Sequence, residues 1–238
     1  MHHIDVNGLI VDVVRKDIMN LHIGVYPPTG RIRVAAPLRI NDEAVRLAVI
    51  SRLSWIKRQK LKFEEQERQT KREYVSGESH YFFGARYLLN VVYHDNPGKA
   101  IVRNKKIIDL FVRTDSNIDR RERVMLAWYR AHLRQAIPQL IEKWEKIVGV
   151  DVADWGIKKM KTRWGSCTIE AGRIWLNLEL AKKPPHCLEF IVVHEMVHLL
   201  EPHHNERFVD YMNKFLPQWR QYREELNRAP LAHAEWEY

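Results

Sequence analysis

Cysteine is scarce in this chain: two among 238 residues, Cys167 and Cys187, and neither belongs to a C-x-x-C pair. That excludes a disulfide framework and a cysteine-rich zinc knot. Long apolar runs are missing as well. No stretch approaches the ~18 consecutive apolar residues of a membrane span, so no membrane partner is expected. There is no P-loop for a nucleotide phosphate, and no cluster of carboxylates suited to magnesium. The first residues, Met1-His2-His3-Ile4-Asp5-Val6-Asn7-Gly8, have no basic segment leading into an apolar one, as a secretory leader would. Both cysteines are then expected to stay reduced, which points to a cytoplasmic protein. A hydrophobic content of 45% is enough to bury a substantial core.

What the chain has in quantity is histidine, 12 residues, and basic charge, a net +9. One group of histidines carries a pattern. His194-Glu195-Met196-Val197-His198 reads H-E-x-x-H and follows the apolar run Phe190-Ile191-Val192-Val193. On a helix, four residues make just over one turn, so both imidazoles leave the same face. Two such ligands can share one zinc ion while Glu195 stays beside the metal as a general base. With 12 His and 19 Glu, a chance match is expected roughly 0.05 times in such a chain, so the motif needs its context. The context supports it. A solvated helix would carry polar neighbours, yet this one continues into Leu199-Leu200, and burying such groups without partners is costly.

Catalytic zinc usually takes three protein ligands and keeps one position open. Pro202 should stop the helix near Glu201, after which the chain can fold back over the ion. His204 lies six residues after His198, the spacing of the third ligand in H-E-x-x-H-x-x-G-x-x-H. Glu201 stands where that pattern has glycine, so the turn must be made differently. His203 is the rival ligand, and Glu224 or Glu225 would make a glutamate site instead.

Upstream, Lys161-Thr162-Arg163-Trp164-Gly165-Ser166-Cys167 precedes Gly172-Arg173-Ile174-Trp175-Leu176-Asn177-Leu178, whose apolar residues alternate. The pattern predicts a hairpin turning near Ala171-Gly172. Its edge strand could pair with an extended peptide lying over the metal. Gly165 would allow close backbone approach, and Arg163, Ser166, Asn177 and His203 are candidate substrate contacts. Tyr211 joins Arg163 and His203 as a candidate oxyanion donor, and Asp210 as a group that could orient a ligand histidine.

Taken together, Arg163-Trp164-Gly165-Ser166-Cys167, Leu176-Asn177, the Pro184-Pro185 break, His194-Glu195-x-x-His198-Leu199 and His204 with Phe208 resemble the YgjP-like metallopeptidase family, relatives of the SprT-like zincins. The resemblance implies a zinc-dependent hydrolase with His194, His198 and His204 as ligands and Glu195 as base. Where relatives commonly read Asn-His-Ser around the third ligand, this chain has His203-His204-Asn205. The family's motifs leave the substrate open.

The fold class expected is α+β: a β-rich, basic domain over 1–118 with one long helix, then a minimal zincin-like domain over 119–238. Strands are expected at Val6–Val14, Asn20–Tyr26 and Gly30–Ala36, with a turn at Pro27-Pro28-Thr29. A helix capped by Asn41 should reach about Lys71. An antiparallel set should follow at Tyr81–His94, Ala100–Asn104 and Lys106–Arg113. A long helix from Asp119 to about Val148, weakened near Pro138, should pack on the active-site helix. A last helix is expected over Phe208–Asn227, with Trp236 and Tyr238 in the tail, and no internal repeat is visible. Residues 1–118 carry 20 basic against 13 acidic side chains, net +7, and the remainder only +2. The basic half could contact nucleic acid. Three functions compete on these grounds: a zinc peptidase acting on a peptide or protein, a metal-dependent hydrolase of a nucleotide phosphoanhydride, and a nucleic-acid-associated protein with a zinc site.

Overall fold

A computed structural model of the chain describes residues 2–26, 30–65, 72–160 and 163–228. The turn at Pro27-Pro28-Thr29, the helix end toward Lys71, Lys161-Thr162 and the tail with Trp236 and Tyr238 lie outside those residues. The chain divides into two compact units, Met1–Arg68 and Gln69–Tyr238.

The first unit runs β1 (His2–Val6), β2 (Leu9–Lys16), β3 (His22–Tyr26), β4 (Arg31–Pro37), α1 (Asp42–Ser51) and α2 (Leu53–Glu65). What the apolar pattern suggests is one strand over Val6–Val14 is a hairpin turn. Asn7 and Gly8 take φ of 53° and 78°, as a two-residue I′ turn requires, and Asn-Gly is the strongest sequence signal for it. The sheet order is β1-β2-β4-β3, with β2 and β4 parallel. Alternate residues Val11, Val13, Ile32 and Val34 bury one face against Val45, Val49 and Ile56. Asn41 caps α1 by accepting from the Ala44 amide at 2.9 Å. Arg52 leaves helical geometry (φ −109°, ψ 13°), so the single helix expected here is two.

The second unit opens with β5 (Ser79–Phe82), β6 (Ala85–Tyr93), β7 (Lys99–Asn104), β8 (Ile107–Val112) and α3 (Ile118–Val148). Its sheet order is β5-β6-β8-β7, again with the central pair parallel. Neither four-stranded sheet is therefore the antiparallel set the strand spacing suggests. The two share a topology with no matching sequence repeat: hairpin, hairpin, Asn-capped helix. In the second, Phe83 and Gly84 make the tight turn (φ 42° and 81°) and Asn117 caps α3. The helix continues through Pro138 without a break.

After α3 come β9 (Asp154–Lys158), β10 (Gly165–Thr168), β11 (Arg173–Asn177), a 3-10 turn over Leu178–Lys182, α4 (Pro185–Val197), α5 (Glu206–Phe215) and α6 (Trp219–Arg228). The strands form a sheet ordered β10-β11-β9, and β9, which the sequence pattern does not reveal, runs parallel to β11. The hairpin turns as expected, with Gly172 at φ 55°. The α+β class stands, with six helices and three sheets among the described residues.

The division expected at residue 118 falls inside the second unit. Leu89, Ile108, Leu110 and Val112 of its first sheet share one core with Met125, Leu133 and Ile137 of α3 and with Leu188 and Val192 of α4. A long helix needs an apolar sheet face to bury against, and β5–β8 supply it. With the break at 68, the basic excess is no longer confined to one part: 12 basic against 8 acidic residues in the first unit, 27 against 22 in the second. Several first-unit arginines are also engaged internally: Arg15 with the Ile40 carbonyl and Asp42, Arg31 with Asp12, Arg46 with the Asp5 carbonyl.

Candidate metal centre

Helix α4 places the H-E-x-x-H residues in the densest part of the second unit. Pro185 at its first turn suits the fixed proline φ and leaves no orphan amide there. Nine of its residues are buried, as expected of a helix that is apolar on all sides. It packs against α3, where the Trp144 indole donates to Glu189 at 2.9 Å. It also packs against β10, β11, α5 and α6. The helix ends at Val197, a few residues before Glu201, but His198 keeps φ −64° and ψ −20° and so preserves the i, i+4 geometry.

Three imidazoles converge beyond that end. Ring nitrogens of His194, His198 and His204 lie within 4.8 Å of one another, and Nε2 of His204 is 3.0 Å from Nε2 of His194. Of the two rivals for third ligand, the chain therefore brings in His204. His203 is exposed, its amide tied to the Glu201 carboxylate at 3.2 Å. Glu225 is engaged elsewhere, 2.6 Å from His186 Nε2, where the two meet Cys187 in a second three-residue cluster.

A backbone carbonyl and one phenyl ring hold the cluster in place. His198 Nδ1 lies 3.2 Å from the Glu201 carbonyl, which can only accept, so Nδ1 carries the proton and Nε2 keeps its lone pair. That carbonyl does the orienting expected of Asp210, which is exposed. Phe208 touches all three rings, its centroid 5.0 Å from His194 and 4.7 Å from both His198 and His204. Asn205 fixes where Phe208 sits by accepting from its amide at 3.0 Å and capping α5. Phe208 is part of the sequence motif, but nothing in the sequence reveals that it forms the floor under the rings.

Burial keeps the imidazoles neutral. It pushes His194 down to about 3, helped by the charges of His198, His204 and Arg223. It also lowers His198 and His204. Three neutral imidazoles whose nitrogens converge on one point are the donor set a divalent transition metal takes.

Glu195 is buried at 4% exposure, and burial drives its carboxyl up to about 8 against the opposing pull of Arg163. Its neighbour is Gly165 on β10. A Cβ built on Gly165 would stand 2.4 Å from Oε1 and 2.8 Å from Cγ of Glu195. The close approach at Gly165 is thus to the glutamate side chain and not, as the sequence suggests, to another backbone. Ser166 follows on the same strand, paired with Trp175, and β10 is an edge of its sheet.

Asn177 does not face a substrate. It is buried, and its amide donates to the carbonyls of Met160 (2.9 Å) and Arg163 (2.7 Å). Its Oδ1 accepts from the amides of Met160 (3.3 Å) and Glu179 (3.1 Å). All its capacity goes into tying the lead-in of β10 to the end of β11. Tyr211 accepts from Arg207 at 3.2 Å and stacks on Phe215.

The sequence profile of the YgjP-like family, described as a metallopeptidase domain, matches residues 21–229. The chain belongs to the YgjP-like family. The match to this YgjP-like domain spans both compact units apart from the first strands, so it covers every residue of the imidazole cluster. Among solved structures, the crystal structure of the metallopeptidase zymogen abylysin of Pyrococcus abyssi is similar to this chain at 19% identity. The likeness covers 38% of this chain and 90% of abylysin, at a TM-score of 0.36. Overlap that slight carries no argument about the chemistry of this chain. No curated protein matches the chain. Among the described residues, no helix is long and apolar enough to cross a membrane.

Proposed function

We propose that this YgjP-like protein is a zinc metallopeptidase in which His194, His198 and His204 hold one ion and Glu195 is the general base. The observation that carries the reading is the pairing of three converging imidazoles with a buried carboxyl group one residue past His194 on the same helix. Zinc, when bound, supplies Lewis acidity, polarising a scissile carbonyl and making water a better nucleophile at neutral pH.

The chain's own groups do the rest. Glu195, ionised once a bound cation offsets the cost of its burial, accepts a proton from the attacking water as that water's oxygen bonds to the carbonyl carbon. It returns that proton to the amide nitrogen as the C–N bond breaks, so the amine leaves neutral. Gly165 keeps space around the carboxylate. The free edge of β10, from Gly165 through Ser166, offers backbone groups to an extended peptide. Arg163, whose charge reaches Glu195, and exposed His203 are the candidates for holding the substrate or its developing oxyanion.

The test pairs two variants. Glu195→Gln should keep one zinc per chain and lose peptide hydrolysis by about a thousandfold or more, because the base is gone. His194→Ala should lose both metal and activity. Peptide hydrolysis undiminished in Glu195→Gln contradicts the reading.

A further inference from the structure

The imidazole centre lies at the end of α4, and a second group of metal-ligating side chains gathers at its start. Pro184 and Pro185 lead into the first turn, where His186 and Cys187 follow. Helix α6 runs antiparallel to α4: Trp219 stacks on Phe190 at 6.5 Å, and Tyr222 meets the His186 ring at 4.7 Å. Nearly one turn further on, α6 delivers Glu225, whose Oε2 is 2.6 Å from Nε2 of His186. The Cys187 thiol completes the group. One ligand atom from each of the three residues lies within 4.8 Å of the others.

Two features set this group apart from a surface ion pair. Cys187 is fully buried at 0% exposure, and its thiol makes no hydrogen bond among the described residues, so an available sulfur sits beneath the pair. The donors are also chemically mixed. A thiolate, an imidazole and one carboxylate suit zinc and its neighbours, whereas calcium or magnesium takes mostly oxygens and more of them. Bonds of about 2.0 Å to nitrogen and oxygen and 2.3 Å to sulfur set the donors of a tetrahedral zinc roughly 3.3–3.5 Å apart. The His186–Glu225 contact must therefore open slightly, and the thiol must close in by at most about 1.3 Å. His186 and Glu225 are open to solvent, which leaves a fourth position to water.

We infer that His186, Cys187 and Glu225 form a second site for a zinc-class cation, weaker than the imidazole centre, that ties α6 to α4. Binding replaces the S–H bond with a metal–sulfur bond and releases the proton to water. That proton, the broken His186–Glu225 hydrogen bond and the charge of nearby Lys183 all oppose the ion. The site therefore fills only after the three imidazoles are loaded.

The experiment titrates cobalt(II) into protein that already holds one zinc and reads the near-ultraviolet charge-transfer band of a cobalt–thiolate bond. One further cobalt per chain should bind with that band, and added zinc should bleach it. Cys187→Ser should abolish the band, and Cys167→Ser should keep it. His186→Gln and Glu225→Gln, both at solvent-open positions, should each weaken cobalt at least about tenfold. The band should survive in His194→Ala, so a failure of the imidazole centre leaves this test readable. Filling the site should raise the urea midpoint of wild type and not that of Glu225→Gln. No band at a large excess of cobalt, a band lost in Cys167→Ser, or a band indifferent to both glutamine variants overturns the inference. An unchanged urea midpoint in the cobalt-loaded wild type overturns the tie between the helices.

Discussion

Gly165 is the only kind of residue that fits where it stands, because a Cβ there would lie 2.4 Å from Oε1 of Glu195. Glu195, the proposed general base, is buried near the end of α4 and cannot swing aside without losing its packing. Gly165→Ala should therefore displace the carboxylate by a few tenths of an ångström to an ångström. The expected loss in kcat/KM is about a hundredfold, with zinc content unchanged. Full activity in Gly165→Ala, with one zinc per chain, would show that the carboxylate does not need this clearance.

Phe208 touches all three imidazoles. Phe208→Leu keeps the site apolar but removes the flat floor. It should weaken zinc about 10- to 100-fold in chelator competition. The cost to folding should be only about 1–2 kcal/mol. Equal zinc affinity in the two proteins would assign Phe208 to the core alone.

Asn177 is a structural latch, and its removal reads out in stability. Asn177→Ala leaves the Met160 and Glu179 amides and the Met160 and Arg163 carbonyls without this partner. A cost of about 2–4 kcal/mol in urea denaturation is expected. Asn177→Asp, which buries a carboxylate oxygen against the same two carbonyls, should cost at least as much.

Burial lowers the pKa of His194, His198 and His204, and of His80 and His132 elsewhere in the second unit. In the unfolded chain these groups titrate near ~6.5, so on acidification the unfolded state takes up protons first. The histidines' contribution to the stability of the metal-free protein is thus fully present above about pH 6.5 and is lost as pH falls toward the folded values. With several histidines it outweighs the opposite contribution of Glu195, whose carboxyl pKa is raised by burial. The urea midpoint should drop between about pH 7.5 and pH 5. Added zinc should raise it much more at the higher pH, since the ligands must be deprotonated. A metal-free midpoint that does not move over that range contradicts the burial argument.

The sequence made the chemistry more legible than the architecture. H-E-x-x-H is local, so helix geometry alone carries His194 and His198 to one side, and the proline just before His203 announces the fold-back that brings in His204. The period-2 pattern around Ile174 and Leu176 likewise predicts β11. Long-range relations left no such trace. Nothing local says that β2 pairs with β4 in parallel, or that β9 adds to β11, because the register is set by which faces meet in the core. The division at residue 68 was hidden because charge reports on the surface, whereas units are defined by shared cores. Asn7-Gly8 and Phe83-Gly84 sit inside apolar alternation, and that continuity masks the turn. The roles of Asn177 and Gly165 depend on what lies opposite each of them, which only the folded chain decides.

The most direct test is the metal shell itself, read by X-ray absorption on protein purified without chelators. One zinc per chain with three nitrogen ligands at about 2.0–2.1 Å is the result expected, falling to substoichiometric zinc in His204→Ala. A sulfur ligand at about 2.3 Å, or a His204→Ala protein that keeps the same shell, would contradict the proposed centre.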